Sequence, residues 1–178
     1  MSEISIMESG MVFGPYDEAL FFHIEKSALY GQLQEAFKIA EFVLMRQQKS
    51  GPVLWIVEAK SSSPQPQNQK DYASYIDEIK SKLTNGLLLS CSVVIGRHPN
   101  GRASLPAALR TIDLTNVQFR LALVVRGHKR EWLPPLREKI TETLMPVIKA
   151  WNLSSGDVMV LNEQLAQKHG LVSALHEE

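Results

Sequence analysis

The chain has 178 residues, 44% hydrophobic and 21% charged, a balance that excludes wholesale disorder and is ample for one core. Nineteen Lys and Arg offset nineteen Asp and Glu, so the formal net charge is zero and any nucleic-acid surface must be local. The lone Cys91 excludes an internal disulfide and a cysteine-based zinc cluster, and fits a reducing compartment.

Met1 to Gly10 carries Glu3 and Glu8 and no basic residue, unlike a signal peptide. No apolar run reaches the ~18 residues that span a bilayer. The expectation is a cytoplasmic protein without a membrane partner, folded as one domain over 1–178. Ala19 to Ile24 is apolar and fits strand or helix alike. Ile39 to Met45 predicts a strand, Arg46 to Gly51 a polar connection with a turn at Gly51-Pro52, and Val53 to Val57 a strongly buried strand. The two strands read as a hairpin. Ser61 to Gln69 has loop composition, with two prolines that resist helix.

Asp71 to about Val94 predicts a helix, because Tyr72, Tyr75, Ile76, Ile79, Leu83 and Leu87 recur at steps of three and four. Asp77, Glu78, Lys80 and Lys82 fall off that stripe. Leu87 to Ile95 also fits a strand. Arg97 to Asn116 reads as loop, and Gln118 to Val125 as a strand. Leu133 to Trp151 predicts one helix opened by Pro134-Pro135, and Asp157 to Leu161 a short strand. Asn162 can cap a closing helix from Glu163 to His169 that Gly170 would end. Strands alternating with helices predict an α/β fold with a mixed central sheet flanked by helices.

The most informative residues are Glu58-Ala59-Lys60, at the end of the most apolar strand. Positions i and i+2 of a strand share a face, so a carboxylate and an ammonium point the same way. Burying such charges is costly without pairing or a metal. The plain alternative is a structural Glu–Lys pair. Glu41 lies in the preceding predicted strand, and hairpin pairing lets it approach Glu58. Two close carboxylates share a proton unless a cation sits between them. Mg²⁺ or Mn²⁺ suits oxygen ligands of this kind. Lys60 beside it can stabilise charge developing on a phosphate, or lower the pKa of an attacking water.

Ile24-Glu-Lys-Ser27, Ala40-Glu-Phe42 and Val57-Glu-Ala-Lys-Ser-Ser-Ser-Pro64 resemble the core of the PD-(D/E)xK nuclease superfamily, most narrowly a bacterial branch of it. That group includes restriction endonucleases and archaeal Holliday-junction resolvases. The resemblance covers roughly Phe21 to Tyr75; later elements match only in order and type. It implies a restriction-endonuclease-like core and metal-dependent hydrolysis of nucleic acid. On it, Glu58 is a metal ligand and Lys60 the catalytic lysine. Glu41 stands where the family usually has aspartate, and Glu25 matches an extra acidic residue from an N-terminal element. The Ala59 carbonyl faces the metal.

Arg126-Gly-His-Lys-Arg130 places three fixed positive charges after a strand. Arg126, Lys129 and Arg130 can contact phosphates of a nucleic acid, with DNA the expected partner, or simply form a solvated turn. Ser61 can donate to a phosphate. His23 reads as a satisfied structural histidine, and His128, His169 and His176 lack metal-ligand spacing with one another. No Gly-x-Ser-x-Gly and no Gly-rich phosphate loop occurs. A homodimer would suit cutting of two strands. Two rival readings stay open: a catalytically inactive binding module on the same fold, and a phosphodiesterase acting on small nucleotides.

Overall fold

A computed structural model of the chain describes residues 2–33 and 38–173. Chain order gives β1 (Glu3–Glu8), β2 (Met11–Asp17), β3 (Phe21–Phe22), α1 (Ala28–Leu33), β4 (Phe42–Gln48), β5 (Gly51–Lys60) and α2 (Gln69–Val94). Then come α3 (Pro99–Ser104), α4 (Ala107–Arg110), β6 (Gln118–Val125), α5 (Leu133–Thr143), α6 (Met145–Ala150), β7 (Val158–Leu161) and α7 (Glu163–Lys168). The fold is mixed α/β.

The main sheet has five strands in the order β3-β4-β5-β6-β7. The β3–β4 and β4–β5 pairs are antiparallel, whereas β5–β6 and β6–β7 are parallel. The parallel pairs need long crossovers, which α2 with α3 and α4 supplies to β6 and α5 with α6 supplies to β7. Central β5 is buried without a break from Val53 to Ala59. A strand covered on both faces loses polar alternation, which explains the apolar run in its sequence.

The two faces of β5 have different partners. Leu54 and Ile56 pack with Ile76, Ile79, Leu83 and Leu87 of α2. Val53, Trp55, Val57 and Ala59 pack on the other side with Met11, Phe13 and Tyr16 of β2 and with Ala166 of α7. Glu58 and Lys60 continue the even-numbered face, the one that α2 covers. Gly86 sets how closely α2 lies: a Cβ there would stand 2.7 Å from Ile56 Cγ2 and 3.1 Å from the Ala40 Cβ.

Several expectations are corrected. Strand β4 begins at Phe42, so Glu41 stands one residue ahead of it, although its amide still donates to the Val57 carbonyl at 3.0 Å. Leu87 to Val94 is helix, because α2 runs on to a stop at Ile95 and Gly96 (φ 84°). The segment from Arg97 to Asn116 holds two short helices rather than loop alone. The expected single helix from Leu133 to Trp151 is two, α5 and α6. Pro146 has no amide to donate to the Glu142 carbonyl, so the helical ladder breaks there. The closing helix has the expected cap, with Asn162 accepting from the Leu165 amide at 3.1 Å. Ala19 to Ile24 resolves into short 3-10 turns around the brief β3. His176 lies outside the described residues.

Candidate active site at the end of the central strand

Helix α2 runs back along β5. Four helical residues rise about 6 Å and two strand residues about 6.6 Å, so a helix turn and a strand step nearly match. Gly86, Lys82 and Glu78 are spaced by four, as Ile56, Glu58 and Lys60 are by two. The close approach of Gly86 to Ile56 therefore carries Lys82 to Glu58 and Glu78 to Lys60. Lys82 Nζ lies 2.9 Å from Glu58 Oε1, and Lys60 Nζ lies 2.5 Å from Glu78 Oε1. Lys60 also stands 3.5 Å from Glu58 Oε1, as its shared strand face requires.

Glu58 is fully buried, and Glu41 is 6% exposed. Lys82 Nζ reaches Glu41 Oε1 at 3.7 Å, so one ammonium lies between the two carboxylates. Neither Glu41 Oε2 nor Glu58 Oε2 has a hydrogen-bond partner. Burial pushes the Glu58 carboxyl up to about 7 against the pull of Lys82 and Lys60. Burial, then the charge of Glu58 and contact with Glu25, push Glu41 up to about 8. Lys82 stays firmly charged, because Glu58 and Glu41 outweigh its own burial.

Glu25 sits on the 3-10 turn Ile24–Lys26 after β3. Its amide donates to the Glu41 carbonyl at 3.2 Å, which draws the two side chains together. Burial raises the Glu25 carboxyl, but contacts with Glu41 and Lys26 bring it below its usual range. Beside them His23 Nε2 lies 3.5 Å from Glu8 Oε1. Burial holds the His23 imidazole below its usual value, so it is neutral near pH 7. One ligand atom from each of Glu8, His23, Glu25 and Glu41 falls within 4.8 Å of all the others.

These donors fit a divalent cation. Buried carboxylate oxygens without a hydrogen-bond donor are what a cation satisfies. Glu41 and Glu58 are the pair expected to hold it, but among the described residues the group close enough to share one ion joins Glu41 to Glu25, Glu8 and His23 and leaves Glu58 out, with the Lys82 ammonium between Glu41 and Glu58. The Ala59 carbonyl accepts the Ser9 hydroxyl at 3.0 Å, so the β1–β2 turn already engages that oxygen.

The basic stretch lies partly at the same end of the sheet. The Arg126 amide donates to the Lys60 carbonyl at 2.9 Å, and Ser61 follows Lys60 directly and is exposed. The Arg126 guanidinium is 3.8 Å from Glu163 Oε1, and the Lys129 ammonium lies 4.9 Å over the Trp132 ring. Arg130 is exposed at the start of a 3-10 turn.

Four site residues were not foreseen: Lys82, Glu78, Glu8 and His23. The signal for two of them was the spacing of four that joins Glu78, Lys82 and the small Gly86. Comparison with protein-family models, curated proteins and solved structures finds no match to this chain.

Proposed function

We propose that the protein is a divalent-metal-dependent nuclease with a restriction-endonuclease-like core, hydrolysing phosphodiester bonds in DNA. The observation that carries this reading is the fully buried Glu58 carboxylate, flanked by Lys60 and Lys82, with one oxygen lacking a donor. Support also comes from the topology: an antiparallel hairpin ends in Glu-x-Lys, and a helix then crosses to a parallel strand.

Glu41 and Glu58 would hold Mg²⁺ or Mn²⁺. The ion, when bound, offsets charge on the phosphate and favours hydroxide at neutral pH. Lys60 Nζ, held by Glu78, donates a hydrogen bond to the attacking oxygen or to a phosphate oxygen. Glu25 keeps negative charge close to Glu41 and so strengthens the site for a cation. Arg126 and Ser61, adjoining Lys60, hold the backbone of the substrate, and Lys129 and Arg130 extend that contact. A homodimer would place two such sites on two strands, and a reducing compartment such as the cytoplasm suits the single thiol.

The test uses labelled single-stranded, double-stranded and branched DNA, plus RNA, with Mg²⁺ or Mn²⁺ and a Lys60→Ala control. The expected result is metal-dependent cleavage of DNA by the wild type and none by Lys60→Ala. Equal cleavage by both, or none by either, overturns the reading. One observation favours the catalytically inactive binding module instead: Lys82 already supplies positive charge between Glu41 and Glu58. In that case Glu58→Gln leaves DNA affinity intact.

A further inference from the structure

The charge around Glu41 is unequal on its two sides. Toward Glu58 it has the Lys82 ammonium. Away from Glu58 it meets Glu25, with Glu8 and His23 close by. Lys26, exposed to solvent, lies 3.2 Å from Glu25 Oε2, and the charge of Lys82 also reaches Glu25. Three carboxyl groups and an imidazole thus converge on one point, with the exposed Lys26 ammonium beside Glu25 and the Lys82 ammonium beside Glu41.

Two unsatisfied atoms separate this cluster from an ordinary acidic patch. Glu41 is more than nine-tenths buried, its Oε1 is the oxygen paired with Lys82, and its Oε2 has no hydrogen-bond partner. His23 Nε2 is also buried without a hydrogen-bond partner, and its contact with Glu8 at 3.5 Å is too long to be one. A buried lone pair facing a carboxylate needs either a proton or a metal. The four residues come from three places: the end of β1, the turn after β3, and the residue before β4. Convergence of separate segments on one point is how a chain builds a coordination site.

We propose that Glu8, His23, Glu25 and Glu41 form a second cation site that takes a first-row transition ion such as Mn²⁺ in preference to Mg²⁺. The imidazole decides the preference. Mg²⁺ favours all-oxygen coordination and retains its waters, whereas Mn²⁺ accepts an imidazole nitrogen beside carboxylates. The first β-hairpin has a defined part in this, since Glu8 ends β1 immediately before the turn at Ser9-Gly10. Lys82 leaves Glu41 Oε2 without a hydrogen bond, because it engages Oε1, although its charge is felt by both Glu41 and Glu25. The site does not require that the protein cut DNA.

The test is Mn²⁺ binding to the intact, metal-stripped protein, followed by electron paramagnetic resonance. The wild type is expected to bind Mn²⁺ with ¹⁴N coupling from a histidine, and Mg²⁺ to displace it only in large excess. His23→Gln and Glu8→Ala are expected to weaken binding at least about ten-fold, the lower end of what losing even an outer partner of a metal site costs. Glu58→Gln is expected to leave this binding and its ¹⁴N coupling in place. Absence of ¹⁴N coupling in the wild type overturns the site without recourse to any variant. Displacement of Mn²⁺ by equimolar Mg²⁺, or unchanged binding in His23→Gln, overturns it too. Loss of DNA cleavage alone touches the nuclease reading and not this one.

Discussion

Lys82 places its ammonium 2.9 Å from Glu58 Oε1, although 24 residues separate the two. The pair exists because α2 is drawn onto β5 at Gly86, and each helix turn toward its N-terminus then meets the next same-face residue of the strand. Glu58 is fully buried and Lys82 is only 14% exposed at its side chain, so solvent screens the pair little.

Removing Lys82 leaves Glu58 with only the more distant Lys60. Lys82→Met is expected to destabilise the protein by about 3 kcal/mol at alkaline pH, the lower end for breaking a buried pair. The loss shrinks as pH falls toward the wild-type Glu58 value of about 7, because without Lys82 the carboxyl keeps its proton to higher pH. Adding Glu58→Gln to Lys82→Met recovers most of it. Urea denaturation of the three variants at two pH values measures this. A loss under about 1 kcal/mol, typical of exposed pairs, would contradict the burial argument.

Stability without metal is expected to fall as pH rises from about 6.5 to about 8.5. Glu41 and Glu58 titrate near 8 and near 7 in the folded state and at 4.5 ordinarily. The folded protein therefore retains protons that the unfolded chain has released. The stability linked to them is complete below 4.5 and is lost through those folded values. The lowered histidines His23, His128 and His169 oppose this slope near 6.5, where the unfolded imidazoles are still half protonated, and add little above about 7.5. Glu41→Gln flattens the decline, and Mn²⁺ at the alkaline end reverses part of it. Stability that rises across the same interval in the metal-free wild type would contradict these assignments.

Gly86→Val tests the contact that positions Lys82 and Glu78. The new Cβ would meet Ile56 Cγ2 at 2.7 Å and the Ala40 Cβ at 3.1 Å. Overpacking of this kind costs about 2–3 kcal/mol. A shift of α2 to relieve it also moves Lys82 off Glu58, so Gly86→Val should raise the Glu58 titration observed by NMR. An unchanged Glu58 titration would mean that the pair does not depend on Gly86.

The sheet was legible where burial leaves a one-dimensional trace. The apolar run of Val53 to Val57 and the Gln118 to Val125 strand follow from hydrophobicity alone, and α2 follows from its stripe of Ile76, Ile79, Leu83 and Leu87. Glu58 and Lys60 meet because strand periodicity puts them on one face, Lys82 links Glu58 to Glu41, and Glu25 contacts Glu41 but not Glu58 or Lys60. Lys82 and Glu78 were missed because polar residues beside an apolar stripe look solvated. Their charged partners, Glu58 and Lys60 at the end of the neighbouring strand and Glu41 and Lys38 just before β4, are distant in sequence. The hairpin of β1 and β2 escaped notice because Ser9-Gly10 is a weaker turn signal than Asn-Gly. Both residues adopt positive φ, 51° and 76°, as a two-residue hairpin turn requires. Without that hairpin Glu8 had no visible route to the site, and His23 looked like a core residue.

The central claim is that buried Glu58 belongs to a metal-dependent nuclease centre rather than to a structural ion pair. The most direct measurement is the initial rate of DNA cleavage in Mn²⁺ by the wild type and by Glu58→Gln, prepared identically, with folding of each confirmed by denaturation. The wild type is predicted to cleave, and Glu58→Gln to remain folded and cleave at least about a hundred-fold more slowly, as loss of one key electrostatic partner costs. Equal rates from the two folded proteins, or no cleavage by the wild type, would contradict the claim.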